Sequence, residues 1–408
     1  MLHSFKVQNY RSILEEQELN LVSTKAYDCS YSKSNVENHN YISNINLVAG
    51  GNGSGKTTIL NALTFFMIFM QEFKGEPIAP GIRIVNKHRL AEKKPTKFET
   101  IFEDKNRLFK LLLEIDGKQE VSKEELYIKQ TSKFSYIYKI SKNKPININP
   151  KKKMSRFTRK RLEEEFEYIK KKQPRSSFFG SLLKFESTKK LLDIKNITEI
   201  FATNVGPYNI SEPDKLNRAI NCSRELKTNK ELLKKVSYYV KKIAPDIKEL
   251  NFEGNAKYRI ENSKTEEEML NFVHISDKNK FNLDFMQESE GTSAFITKLI
   301  MLLSVLERGG LAVIDEIDNS LHPHLLKKLI SIFASKETNK KGAQLIFSTH
   351  QPILMDDRYK NQIFLAEKNN LNTEIYRLDT VKGIANTENF FKKYMSGEYG
   401  GTPEIEVF

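Results

Sequence analysis

Two cysteines, Cys29 and Cys222, are all that the 408-residue chain contains. They exclude a disulfide framework and a thiolate metal cluster, and they point to a reducing compartment, the cytosol. No apolar run is long enough to span a bilayer. The most apolar stretch, Ile59 to Met70, is interrupted by Asn61 and Thr64. It is expected to be a buried helix, and no membrane partner is expected. No secretion leader is expected either, because Met1-Leu2-His3-Ser4-Phe5-Lys6 reads as the start of a strand. Acidic residues are scarce in one region. Residues 141–190 carry 16 Lys and Arg against 5 Asp and Glu, an excess of 11 in a chain whose net charge is +14. That asymmetry suits a polyanion such as DNA or an acidic partner, and equally a solvated helical face.

What is present is organised around Gly50-Gly51-Asn52-Gly53-Ser54-Gly55-Lys56-Thr57-Thr58, which fits G-x-x-x-x-G-K-[ST]. An apolar strand, Ile45 to Ala49, leads in, and a helix-forming run, Ile59 to Leu63, leads out. In such a loop the backbone N–H groups of Asn52, Gly53, Ser54 and Gly55 curl around phosphate oxygens, and the helix N-terminus adds partial positive charge. Lys56 is placed to reach the β- and γ-phosphates of a nucleotide. Thr57 is placed to hold Mg²⁺, and Thr58 extends the cradle.

The length suggests two to three domain equivalents. Residues 23–44 are rich in Ser, Asn, Tyr and Lys and read as an exposed loop, and 82–97 read as an exposed basic connection. Strand-like runs near Phe98–Phe102, Leu108–Ile115, Leu126–Ile128 and Tyr136–Ile140, with a turn at Asp116-Gly117, predict an antiparallel layer. From residue 142 the pattern turns helical. Lys151–Lys172 predicts a charged helix of about 33 Å, and apolar helices follow to Ile243 with a break at Gly206-Pro207. Strands near Lys257–Ile260 and Phe272–Ile275 come next. A helix opens at Gln287–Thr292 and ends at Gly309-Gly310, followed by buried strands Leu311–Ile314 and Gln344–Phe347. The predicted class is α/β: a mostly parallel sheet plus an antiparallel β layer, with 1–141 and 246–408 as parts of one lobe and 142–245 as a basic helical insertion.

Asp315 leaves the core at the end of an apolar strand, where it can hold Mg²⁺, and Glu316 beside it can polarise a water. His350, at the end of the next strand, is placed to donate to the γ-phosphate. Asn9-Tyr10-Arg11-Ser12, Ser289-Glu290-Gly291-Thr292, Asp318-Asn319-Ser320-Leu321-His322-Pro323 and Ser348-Thr349-His350 complete a set that resembles the ABC-type ATPase heads of RecF, SMC and OLD proteins. The resemblance implies that Arg11 contacts nucleotide, that Ser289-Gly291 is a degenerate signature, that Asp318 belongs to a D-loop and that His350 is the switch histidine. It also implies a head-to-head homodimer with ATP sandwiched between subunits, so that Ser289 and Gly291 act in trans. Glu99 stands where the Q-loop residue is expected.

A narrower resemblance rests on Pro95–Glu99, Gln362–Lys368 and Tyr394–Pro403. These stretches look like bacterial abortive-infection ATPases, including the ATPase partners of TOPRIM-like effectors in PARIS and AbiL-type phage defence. Here Glu398 replaces the Arg, and Gly401 the Ala, of that family's closing Gly-Arg-Tyr-Gly-Ala-x-Pro motif. The 58 residues after His350 offer no paired-carboxylate nuclease module. The expected function is therefore an ATP-hydrolysing sensor that holds a separate nuclease or toxin effector and responds to a phage-derived or DNA trigger. The alternative is a RecF- or SMC-like DNA clamp in repair or maintenance.

Overall fold

A computed structural model describes residues 1–37, 39–71, 85–104, 106–129, 132–151, 156–183, 201–205, 215–252, 257–259, 266–276, 279–319, 321–385 and 387–402. Four short apolar strands lie side by side and parallel in the order Phe201–Thr203, Leu311–Ile314, Gln344–Ser348, Ile45–Ala49. Ile363–Asn369 adds a fifth parallel strand beside Ile45–Ala49, and Asn372–Arg377 closes this edge antiparallel. Both faces of the inner strands Leu311–Ile314, Gln344–Ser348 and Ile45–Ala49 are buried, which is why these three read as apolar runs without alternation. Val48, Val313, Ile346 and Phe364 pack on one face with the helix Lys56–Gln71. Leu47, Ile314, Phe347 and Leu365 pack on the other with the helices Glu290–Arg308 and Pro323–Ala334.

Helix Lys56–Gln71 is sandwiched, because a second sheet of seven strands covers its far side. That sheet is antiparallel and includes Leu2–Gln8, Thr96–Asp104, Arg107–Ile115, Val121–Lys129 and Ser135–Ser141. Phe5, Phe65, Phe66 and Phe98 interlock between the layers, with the Phe65 and Phe98 rings stacked at 5.7 Å. The architecture is α/β, as expected: a mostly parallel sheet with an antiparallel β layer packed over its helix. Because the parallel strands share one direction, their carboxyl ends gather the phosphate loop, Asp315, His350 and Asn204 at one end of the sheet.

Three expectations change. Residues 23–44 do not form an exposed loop. They build a small antiparallel sheet from Val22–Ser23, Tyr41–Ser43 and Tyr31–Lys33. Its polar residues hid this by being buried in hydrogen bonds: Tyr31 donates to Asn361 Oδ1 (2.6 Å), and Gln362 donates to Ser30 Oγ (2.8 Å). The segment 142–245 is not wholly helical. Helices Arg156–Lys172, Phe178–Leu182, Lys215–Thr228 and Lys230–Ile243 are there, but Phe201–Thr203 is a strand of the central sheet. The charged helix is 17 residues, about 26 Å at 1.5 Å per residue. The basic connection 85–97 exposes Lys93, Lys94 and Lys97, yet its backbone is strapped down. Asn9 Nδ2 donates to Ala91 O (2.9 Å) and Lys94 O (3.0 Å). Arg83, the Gly206-Pro207 break, Ile260, Ser320 and Pro403 lie outside the described residues.

One buried carboxyl fastens the second sheet to the helix Phe178–Leu182. Glu124 accepts from Tyr138 Oη (2.7 Å), Ser177 Oγ (2.9 Å), Phe178 N (3.0 Å) and Phe179 N (2.7 Å). Burial pushes this carboxyl upward, against four donors that pull it down. Glu124→Gln turns one acceptor into a donor facing these groups. It is expected to cost about 1–3 kcal/mol, the penalty of a buried unsatisfied polar group, read as a lowered urea midpoint at unchanged slope.

Candidate functional site

Strand Ile45–Ala49 ends on Gly50, and the loop closes into the first turn of helix Lys56–Gln71. Gly53 sits at φ +75° with nothing within 4 Å of where a Cβ would stand, leaving its outer side open. Gly55 is at φ +109°, and a Cβ there would come within 2.3 Å of Thr373 Oγ1. Thr373 braces the loop from beneath, donating to Ser54 O (3.2 Å) and pairing with Ser12 Oγ (2.8 Å). Ser12 Oγ also donates to Thr58 Oγ1 (3.1 Å). The Asn9–Ser12 turn is thus seated against the loop, with Arg11 in the left-handed region at φ 50°.

Lys56 folds back over its own loop, Nζ donating to Gly50 O (2.8 Å) and Gly51 O (3.0 Å). Burial pulls its ammonium below the usual lysine range, while Asp315, Glu316 and Asp318 pull it back up. Parallel pairing of Ile45–Ala49 with Gln344–Ser348, and of that strand with Leu311–Ile314, brings the end of strand Leu311–Ile314 to the same side of the sheet as the loop lysine. There the Ser348 hydroxyl bonds Asp315 Oδ1 and accepts the Glu316 N–H (2.8 Å). Glu316 occupies φ 47°, a strained conformation for a non-glycine residue and one that clusters at functional sites. Its Oε1 meets His350 Nε2 at 3.1 Å, and both Asp318 oxygens accept the His350 N–H at 3.1 Å. Lys56, Asp315, Glu316, Asp318 and His350 therefore form one constellation, built from a phosphate loop and the ends of two adjacent strands.

A family model described as "AAA domain, putative AbiEii toxin, Type IV TA system" matches residues 45–356, from the loop strand to beyond His350. The chain belongs to this family. Solved structures of similar fold include an SMC head domain from Thermotoga maritima, 14% identical, covering 92% of this chain and 98% of that one at a TM-score of 0.42. They also include an Smc head bound to the C-winged helix domain of ScpA (12%, 94% and 99%, 0.49). A third is an Smc head domain with an extended coiled coil bound to the C-terminal domain of ScpA, derived from Pyrococcus furiosus (13%, 93% and 97%, 0.45). Among curated proteins none matches the chain significantly.

The loop of this AAA-family head fits a nucleotide. Ser54 Oγ is buried without a hydrogen-bond partner. Asn52, Gly53 and Thr57 are exposed, and Thr57 opens the helix on the side of the loop. Among the described residues no group of three or more His, Cys, Asp or Glu could hold a metal. Thr57 and Asp315 would hold Mg²⁺ together with phosphate oxygens, the usual manner for this ion. When bound, Mg²⁺ supplies charge neutralisation at the phosphates.

Ser289 and Gly291 are placed differently. Ser289 caps the helix Glu290–Arg308, accepting the Thr292 N–H (3.1 Å), and it is exposed. Among the described residues its hydrogen bonds run to Glu288, Thr292 and Ser293, none of them to the Lys56 constellation. Glu99 does not fill the Q-loop position. It pairs across from Lys6, while its neighbour Phe98 faces the helix, so by strand alternation Glu99 points to the sheet's other face.

Two supports escaped sequence reasoning. Asn204 clasps the Asp315 backbone from both sides, Nδ2 donating to Asp315 O and Oδ1 accepting Asp315 N–H, each at 2.8 Å. Its signal was hidden because Phe201–Thr203 is too short to read as a strand. The closing motif holds the phosphate loop itself: Gly51 N donates to Gly401 O (2.8 Å), and Gly401 N donates to Glu367 Oε2 (3.0 Å). Glu398, in the arginine's place, is exposed and paired with Lys393 at 3.2 Å.

Proposed function

We propose that this AAA-family head binds and hydrolyses ATP as the sensor and scaffold subunit of a bacterial antiphage, abortive-infection system, holding a separate nuclease or toxin effector. The observation that carries the reading is the match of residues 45–356 to a family described by a toxin and a type IV toxin–antitoxin system. It coincides with a complete hydrolytic constellation in the same span. Lys56 leaves Gly50 O and Gly51 O to meet the phosphates, Asp315 is oriented by Ser348 and Asn204, and Glu316 aligns the attacking water. His350 steadies Glu316 in the resting head and is placed to turn to the γ-phosphate. Ser289, exposed at a helix N-terminus, and the half-buried Gly291 supply the anion-binding surface that a second head's nucleotide needs. The working unit is then a homodimer closed on ATP, in the cytosol, and the narrower kinship is with ATPase partners of the PARIS and AbiL type.

A second reading, a RecF- or SMC-like clamp on DNA, is favoured by the 16 Lys and Arg in residues 141–190, including exposed Lys170, Lys171 and Lys172 at the end of the charged helix. One experiment separates the two. The Glu316→Gln protein is expressed with its own gene neighbourhood, purified with ATP and weighed by native mass spectrometry. A complex with a second polypeptide is the expected result. A bare dimer that retains nucleic acid, released steeply by salt, would overturn it in favour of the clamp.

A further inference from the structure

Just before the exposed cap residue Ser289 lies a buried carboxylate that the ATPase chemistry does not use. The side chain of Glu288 is only 5% exposed, and it contacts His274 Nε2 through Oε1. The other ring nitrogen of His274, Nδ1, meets Asp246 Oδ2 at 2.9 Å. The Phe281 ring stacks flat on the imidazole, 5.1 Å between centroids and 2° between planes. Glu288 in turn fixes the entry to the helix. Its Oε2 accepts the Ser289 N–H (3.0 Å), its own N–H donates to Asp284 O (3.2 Å), and its carbonyl accepts from Lys215 Nζ.

Each group in this chain comes from a different piece of the fold. Asp246 follows the helix Lys230–Ile243, His274 is on the strand Asn271–Ser276, and Glu288 precedes the helix Glu290–Arg308. We propose that His274, clasped between Asp246 and Glu288, is a positioning residue that sets the pose in which Ser289 and Gly291 are offered to a second copy of this chain. The proposal rests on the reading that these two residues act in trans. A buried carboxylate stays inside only while it is paired. Without His274, Glu288 swings toward water, the Ser289 N–H loses its acceptor, and the first turn of the helix is free to tilt. Nothing in the clasp touches the chain's own phosphate loop, so its loss acts on head-to-head closure and leaves nucleotide binding by the single head alone.

The test uses the full chain in the Glu316→Gln background. Mass photometry reads the ATP-dependent dimer, and a fluorescent ATP analogue titrated at concentrations where the chain is monomeric reads the single head. His274→Gln is expected to weaken the dimer about tenfold or more while analogue affinity changes less than about twofold. Asp246→Asn, at a residue with an exposed side chain, is expected to act in the same direction, and Asp246→Glu to restore closure. Should His274→Gln not fold, the Asp246 pair carries the test. Dimerisation of the variants equal to that of their parent overturns the proposal, as does an equal loss of analogue binding. A parent that binds the analogue yet never dimerises overturns the trans reading, and this proposal with it.

Discussion

Glu316→Gln is expected to slow ATP turnover by roughly 10²–10⁴-fold, the contribution of a positioned general base, while ATP binding survives. The geometry explains the separation. Glu316 stands beyond the loop that grips phosphate. Its backbone N–H is held by Ser348 Oγ and its carboxylate by His350 Nε2, so glutamine keeps the size and the backbone anchor. What changes is that one carboxylate oxygen becomes an amide, which cannot take a proton from water. Burial and the field of Asp315, Glu316 and Asp318 bear oppositely on Lys56, and removing one of the three charges does not disarm the lysine. ATP should therefore accumulate unhydrolysed, and the ATP-closed homodimer should become isolable. The measurement is single-turnover hydrolysis beside equilibrium binding. Wild-type turnover in the variant would show that Glu316 is not the base, and lost binding would show that its charge serves the nucleotide directly.

The strained backbone at Glu316 bears on the same point. A non-glycine residue at φ 47° costs of order 1–3 kcal/mol and persists only when its surroundings fix it. Here they do. Ile317 N donates to Ser348 O (3.0 Å), and Ser348 Oγ takes the Glu316 N–H. The turn that follows the strand is thereby locked to the adjacent strand, and the carboxylate is aimed by structure already in place before nucleotide arrives.

The phosphate loop and the acid pair were legible because their chemistry forces a local pattern: small residues where backbone must approach phosphate, then an apolar strand that ends in carboxylates. The antiparallel layer was legible because Thr96–Asp104 and Arg107–Ile115 alternate with a period of two across a half-exposed sheet. What escaped lacks a local signature. Asn204 gains its role only because three residues pair with Leu311–Val313, more than a hundred positions away. Residues 23–44 read as a loop because many of their interior contacts are hydroxyls and amides that satisfy one another, as Ser32 Oγ does on Asn44 Oδ1 (2.9 Å). Glu99 failed as a Q-loop residue for a reason of parity: in a strand, being next to the right residue puts a side chain on the wrong face. The tail motif was visible as a pattern, but its work, holding Gly51 through Gly401, depends on Tyr376 Oη and Tyr394 Oη donating to the backbone at Tyr399 (2.8 Å) and Gly401 (3.0 Å).

Lys56→Ala is expected to remove two things at once, and they can be measured apart. In the resting head Nζ bridges Gly50 O and Gly51 O. Its loss leaves two loop carbonyls without that donor and should lower the stability of the nucleotide-free protein by about 1–3 kcal/mol. The second loss is the charge that meets the phosphates, and with it about a hundredfold or more in ATP affinity, since hydrogen bonds to charged groups are worth roughly 1.5–3 kcal/mol each and tenfold is 1.4. A ligand present at a hundred times its Kd stabilises a fold by about 2.7 kcal/mol, so thermal unfolding with and without Mg·ATP separates the effects. The wild-type transition should rise on adding nucleotide. The Lys56→Ala transition should start lower and barely move. An undiminished ATP shift in the variant would mean that Gly51, Gly53 and Gly55 hold the phosphates without the lysine, and would reduce Lys56 to a brace for its own loop.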